Sequence, residues 1–217
     1  MSTPTKDLFL VEDLEEVDRT TDLPNGELIA MHAVADWITT FVARPHEDLG
    51  RPGTVCPFVP MSLGDRTLWL SPVDIGEGSA SQVVDVLEGH KRMLLETAPE
   101  GDEHAVIVVV FTGVTADRAQ DLFGEALQQI AVPAYVDDGI VFGPFSEANR
   151  AGAIYNRDFQ PFRSPVPFVF VRYGVVGDWK FFLDDPEWFG HWANHFGASG
   201  AQALAEELRR LPWNERR

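Results

Sequence analysis

An unbroken apolar run, Ala105–Phe111, constrains this chain more than any other feature. It lies in the segment HAVIVVVFT at 104–112. A strand with one wet face alternates polar and apolar residues, so a continuous β-branched run reads as a strand buried on both faces. A sheet built around it needs apolar layers above and below. The flanking periodicities predict those layers. Leu28, Met31, Ala35, Ile38 and Val42 fall near helical spacing and predict a helix over 26–43, closed by Pro45. RTLWLSPV at 66–73 alternates and predicts a strand. Ser79 is placed to cap a helix over 80–97, with Val83, Val86, Leu87, His90, Leu94 and Leu95 on or near its inner face. Thr115 is placed to cap another over 116–131. Further strands are predicted at 139–143, 165–173 and 178–183. Asp185-Pro186 opens an aromatic helix to 196, because proline suits a first helical turn. A last helix covers 199–211. No linker parts two self-sufficient apolar blocks. The fold class is therefore α+β: one domain over 25–217, with a central mixed sheet and packed helices. An acidic arm, 1–24, precedes it and is expected to be partly disordered, with Leu8, Phe9, Leu10 and Val11 able to anchor it.

Two long loops stand out against this regular frame. Residues 44–64 are rich in proline and glycine, and 144–164 mix Gly, Pro, Asn, Arg and aromatic residues. A connector that only crosses a surface can be short and polar, so loops of this make-up are expected to be shaped and to carry function. Their shared character predicts that they lie against each other on one side of the sheet. Arg163 and Asn156, set among Pro and Phe, are expected to be buried and hydrogen-bonded.

The totals exclude several functions. The formal charge is −17, and the sequence pI is near 4.6. Such a charge argues against non-specific nucleic-acid binding and against docking on anionic lipid. Cys56 is the single cysteine, so no internal disulfide forms and a multi-cysteine metal centre is excluded. The N-terminus has no basic patch followed by an apolar run, and no apolar run is long enough to span a bilayer. A reducing, cytoplasmic location is expected. The P-loop, Rossmann and nucleophile-elbow motifs are absent.

Several residues are chemically able. A Cys56 thiolate can serve as nucleophile, redox group or axial ligand to haem iron; otherwise Cys56 is a small buried hydrophobe. His191 and His195 are one helical turn apart and share a face, but no zincin glutamate follows His191. His90 has charged neighbours in EGHKRM, which favour a solvated face. His32 reads as a satisfied core histidine, and His46 and His104 sit at element edges. Arg150, Arg157, Arg163 and Arg172 present forks suited to carboxylates or phosphates. In so acidic a chain they can equally neutralise neighbours such as Glu147 and Asp158. No metal-ion site is expected.

Two segments resemble an uncharacterised bacterial family defined only as a domain of unknown function. They are HEDLGRPGTVCPFVP (46–60) and GIVFGPFSEANRAGAIYNRDFQPFRSPVPFVFVR (139–172). Gly50, Arg51, Gly53 and Val55 through Pro60 carry the first part of the resemblance. Asn156, Asp158, Phe159, Pro161 and Arg163 through Pro167 carry the second. One departure matters: where that pattern has Phe-His-Pro, this chain has Phe145-Ser146-Glu147. A remoter resemblance is to YqcI/YcgG-type proteins, some of which are haem-dependent N-oxygenases. It implies a haem-binding oxygenase or related redox enzyme acting on a small nitrogenous or amino-acid-like metabolite. Cys56, His90, His191 or His195 would then hold iron, and Arg163 or Arg172 would pair a propionate or a substrate carboxylate. Cys56 and Arg163 would be the catalytic groups, and Asn156, Arg150 and Arg157 would bind substrate. A homodimer is the oligomer considered. The alternative is a non-catalytic small-ligand- or partner-binding protein of the same fold, which the loss of histidine at Ser146 favours.

Overall fold

In the computed structural model, which describes residues 8–210, the apolar run lies at the centre of a five-stranded sheet. In chain order, β1 (Phe9–Leu10) leads into a 3-10 turn (Val11–Asp13), α1 (Leu14–Thr20) and α2 (Asn25–Trp37). After one π-helical turn (Ile38–Val42), a short 3-10 turn (Glu47–Leu49) precedes α3 (Val59–Gly64) and β2 (Leu68–Asp74). Then come α4 (Ala80–Thr97), β3 (Val106–Thr112), α5 (Ala116–Asp138), β4 (Ile140–Phe145) and β5 (Phe168–Tyr173). A 3-10 turn (Val176–Phe181) and α6 (Pro186–Arg210) complete it. The sheet order is β1-β2-β3-β5-β4. β2 and β3 are parallel, joined by the α4 crossover, and every other pair is antiparallel.

β3 is covered on both faces, as its sequence requires. On one face Ile107, Val109 and Phe111 pack under α4 and α5, with Val83, Leu87, Leu122 and Phe123 fully buried. On the other, Val108 and Val110 meet Met31, Val34 and Ile38 from α2 and the π turn. Ser79 caps α4 through a full capping box with Gln82, and the Thr115 hydroxyl accepts the Arg118 N–H at the start of α5.

Several expectations need correction. Residues 8–20 of the acidic arm pack on the body: β1 pairs with β2, and Leu14 and Val17 are buried. Arg66 bonds Asp13, and His32 bonds Asp18, tying the arm down. Residues 1–7 lie outside the described residues, as does residue 211 of the last helix. α5 extends to Asp138, beyond the expected end at 131, because Ile130, Ala134 and Tyr135 continue its buried stripe. Pro133 sits on the exposed side, where water can satisfy the carbonyl it leaves free. The strand expected at 178–183 is instead the 3-10 turn, held by the Asp178 carboxylate on the Val175 N–H and by the Trp192 indole on the Val176 carbonyl. The two C-terminal helices form one segment broken at Gly197, whose φ of 49° and ψ of −119° interrupt the helix.

Candidate functional site

The helix expected over 26–43 changes character after Trp37, and the aromatic side chains of this stretch form one wall of a site. The Thr39 and Thr40 hydroxyls bond back to the Ala35 and Asp36 carbonyls, and the Ala43 N–H reaches the Ile38 carbonyl across a π-type turn. Such turns add a residue to the helix and re-aim its side chains. Trp37 and Phe41, four residues apart and so on one face, have ring centroids 5.5 Å apart. Trp37 rests edge-on against Phe145 and Phe168, which stack at 4.5 Å across β4 and β5.

The two long loops close around this aromatic wall. Phe159 of the second loop stacks on His46 of the first at 4.5 Å and meets Phe41 at 6.0 Å. The Asn156 amide donates to the Asp48 carbonyl at 2.7 Å. Gly50, at φ 76°, brings its backbone so close to Tyr155 that a Cβ there would lie 2.8 Å from the Tyr155 carbonyl oxygen. The result is an open cleft of about 860 Å³ between the loops. Trp37, Phe41 and Phe159 give it apolar walls; Asp48, Glu147 and Asp158 are its acids; Arg163 and Asn156 are its donors. That volume falls in the ordinary range for a small-molecule site.

Some expected residues meet here. Asn156 and Arg163 both line the cleft. Arg163 is not buried: its side chain is 45% exposed, with Nε donating to the Glu147 carbonyl and Nη2 4.0 Å from the Glu147 carboxylate. Arg150 donates to the same carbonyl from an exposed position. Arg157 is 74% exposed, 3.5 Å from Asp184, and does not line the cleft.

The expected iron ligands and their arginine partner do not converge. Arg172 forms a two-pronged ion pair with Asp178, at 2.7 and 3.0 Å, and donates to the Tyr173 carbonyl. Burial opposes its charge, but the Asp178 carboxylate, with smaller contributions from Cys56 and Tyr135, holds the guanidinium above its usual range. Arg172 is therefore committed within the fold. Cys56 is half-buried in the first loop, near enough to Arg172 for electrostatic interaction, and does not line the cleft. His90 is fully buried rather than solvated, on the opposite face of the sheet. Its ring donates from Nδ1 to the Val86 carbonyl, and Nε2 is hydrogen-bonded to the Ser71 hydroxyl at 2.8 Å. His191 and His195 lie on α6, where His195 packs against Tyr135 and Phe196. One porphyrin slot needs an axial donor, apolar walls and cations together, and these residues do not fit that group. Ser146, at the position where the resembling pattern has histidine, is buried and donates to Gln120 of α5, away from the cleft. Among the described residues no group of three His, Cys, Asp or Glu side chains is placed to hold a metal ion.

Sequence reasoning did not single out Trp37, Phe41, Asp48 or Phe159 as site residues, and treated Glu147 and Asp158 only as charge partners. The available signal was the spacing of Trp37 and Phe41, four residues apart on one face near the end of a helix.

Residues 31–207, which include β2 to β5 and both long loops, match the family model described as domain of unknown function (DUF6875). The chain belongs to that family. No curated protein and no solved structure matches it. Among the described residues no helix is long and apolar enough to cross a membrane.

Proposed function

We propose that the protein binds a small organic molecule with a flat apolar part in the cleft between its two long loops. One observation carries this reading: Trp37, Phe41 and Phe159, from the end of α2, the π turn and the second loop, line one open cleft together with polar groups. Aromatic walls with a few placed polar groups are the usual composition of small-ligand sites. The haem-dependent oxygenase implied by the remoter resemblance would need an axial donor at this cleft, and none of Cys56, His90, His191 and His195 lines it. The ligand-binding alternative therefore stands first. The single cysteine suits a reducing, cytoplasmic setting.

Indole, flat and uncharged, tests the cleft independently of charge. Saturation-transfer NMR on the full chain is expected to show contact with indole, reduced in Trp37→Ala and in Phe159→Ala. Phe159 lies on a loop, so its variant serves where Trp37→Ala loses the fold. Indole contact unchanged in a folded Phe159→Ala variant, or none in the unaltered chain, overturns the reading.

A further inference from the structure

The charges in the cleft are unbalanced. Asp48, Glu147 and Asp158 face one guanidinium, that of Arg163. That guanidinium lies 4.0 Å from the nearer Glu147 oxygen, the limit of an ion pair. The Asp48 carboxylate is 3.9 Å from His46 Nδ1. That nitrogen, however, accepts the Asp48 backbone N–H, so it carries no proton in this role. Asp158 has no ion-pair partner for its carboxylate among the described residues.

Such a cleft repels a simple anion and attracts a cation. Aromatic faces add to the attraction, because their quadrupoles favour positive charge. The net charge of −17 adds a field of the same sign. Arg163 is the exception. Only its Nε is used by a backbone acceptor. The outer edge of its fork is therefore open to a carboxylate, for which its planar geometry is suited.

We propose that the ligand is a zwitterion, with a cationic nitrogen toward Asp48 and Asp158 over the aromatic wall and a carboxylate on Arg163. The assignment rests on the cleft reading above and adds its charge class. The acids and Arg163 select the ends of the molecule, while Trp37, Phe41 and Phe159 hold its middle. Each charged group is well exposed, so individual contributions are modest and screened by salt.

Three probes share one ring and differ only in charge: tryptamine, tryptophan and indole-3-acetate. Calorimetric titration of the full chain at low salt is the measurement. Tryptamine and tryptophan are expected to bind about five-fold or more tightly than indole-3-acetate. Arg163→Gln is expected to weaken tryptophan about five-fold and leave tryptamine within about two-fold. Asp48→Asn with Asp158→Asn is expected to weaken both amines and strengthen indole-3-acetate. These positions are exposed loop residues, and circular dichroism verifies each variant's fold. Indole-3-acetate binding as tightly as tryptamine, and lost in Phe159→Ala, overturns the charge assignment while leaving the cleft in place. No binding of any of the three, with neutral indole also silent, overturns both.

Discussion

The side-chain amide of Asn156 donates to the backbone carbonyl of Asp48 at 2.7 Å, across 108 residues of sequence. The same amide group accepts the Asp158 N–H through its oxygen, so one side chain both shapes its own loop and ties it to the other. An aspartate in its place would lose the N–H donor while keeping the acceptor.

Asn156→Asp is therefore expected to uncouple the loops without unfolding the domain. Loss of one partly exposed hydrogen bond costs about 1 kcal/mol, or a few degrees in Tm for a chain of this size. Hydrogen exchange should accelerate at 46–50 and 153–159 and stay unchanged in β3. Equal protection of the loops in both proteins would show that the tie is not what holds them together.

Gly50→Ala tests the same junction from the other side. The residue needs φ 76°, and a Cβ would press on the Tyr155 backbone rather than on a flexible side chain. The left-handed conformation alone costs a non-glycine residue about 1–2 kcal/mol, and relief of the clash requires one loop to move. Lower Tm together with weaker indole binding is the expected pair of effects. A variant as stable as the parent would show that the loops part without cost.

Much of the frame was legible because periodicity and caps are local signals. The β3 run required cover on both faces, and Ser79 marked the start of α4. The loop pairing was legible from shared Pro, Gly and aromatic content. The site itself was less so. Trp37 and Phe41, four residues apart, share one helix face, but hydrophobic spacing alone does not tell that the two loops fold over that face rather than a helix doing so. The Pro and Phe neighbours of Arg163 predict burial, yet only some of them, such as Pro161, are buried, and the guanidinium stays outside. His90 shows the reverse: charged sequence neighbours flank a side chain that helical spacing directs into the core.

Arg163→Ala is accordingly expected to leave stability almost unchanged. Its ion pair with Glu147 is at the distance limit and exposed, and pairs of that kind contribute between nothing and about 1 kcal/mol. Thermal denaturation should show a Tm shift of no more than about 4 °C. A shift near 10 °C would restore the view of Arg163 as a structural residue.

Arg172 and Asp178 present the opposite case. Asp178 is almost wholly buried and accepts both the guanidinium and the Val175 N–H. Asp178→Ala leaves Arg172 without its counter-ion, which typically costs about 3–5 kcal/mol when one partner of a buried pair is removed. Tm should fall on the order of 10 °C. The double variant Arg172→Met with Asp178→Ala should lose clearly less than the sum of the two single variants, because it leaves no orphan charge. Simple additivity in urea denaturation would mean that the pair is not coupled.

Tyr135 is expected to contribute to the loss of stability at alkaline pH. Its side chain is fully buried against Phe182, Trp188 and His195, and its hydroxyl has no hydrogen-bond partner among the described residues. Burial raises its pKa well above the usual tyrosine value, and the nearby Asp178 charge adds to this while Arg172 opposes it. The folded state therefore keeps its proton at a pH where the unfolded chain begins to lose it. Its contribution to stability is full below about pH 10 and falls as pH rises from there toward the folded pKa. Tyr173, raised first by burial and then by Glu100, Asp102 and Asp138, contributes a slope of the same sign. Tyr135→Phe removes an unpartnered hydroxyl and no hydrogen bond, so stability at pH 7 should be equal or higher by about 1 kcal/mol. The loss between pH 9 and pH 11 should become shallower without vanishing, since Tyr173 remains. Urea midpoints at pH 7, 9 and 11 measure both effects. A Phe variant clearly less stable at pH 7 would reveal a partner for the hydroxyl, and an unchanged alkaline slope would remove Tyr135 as its source.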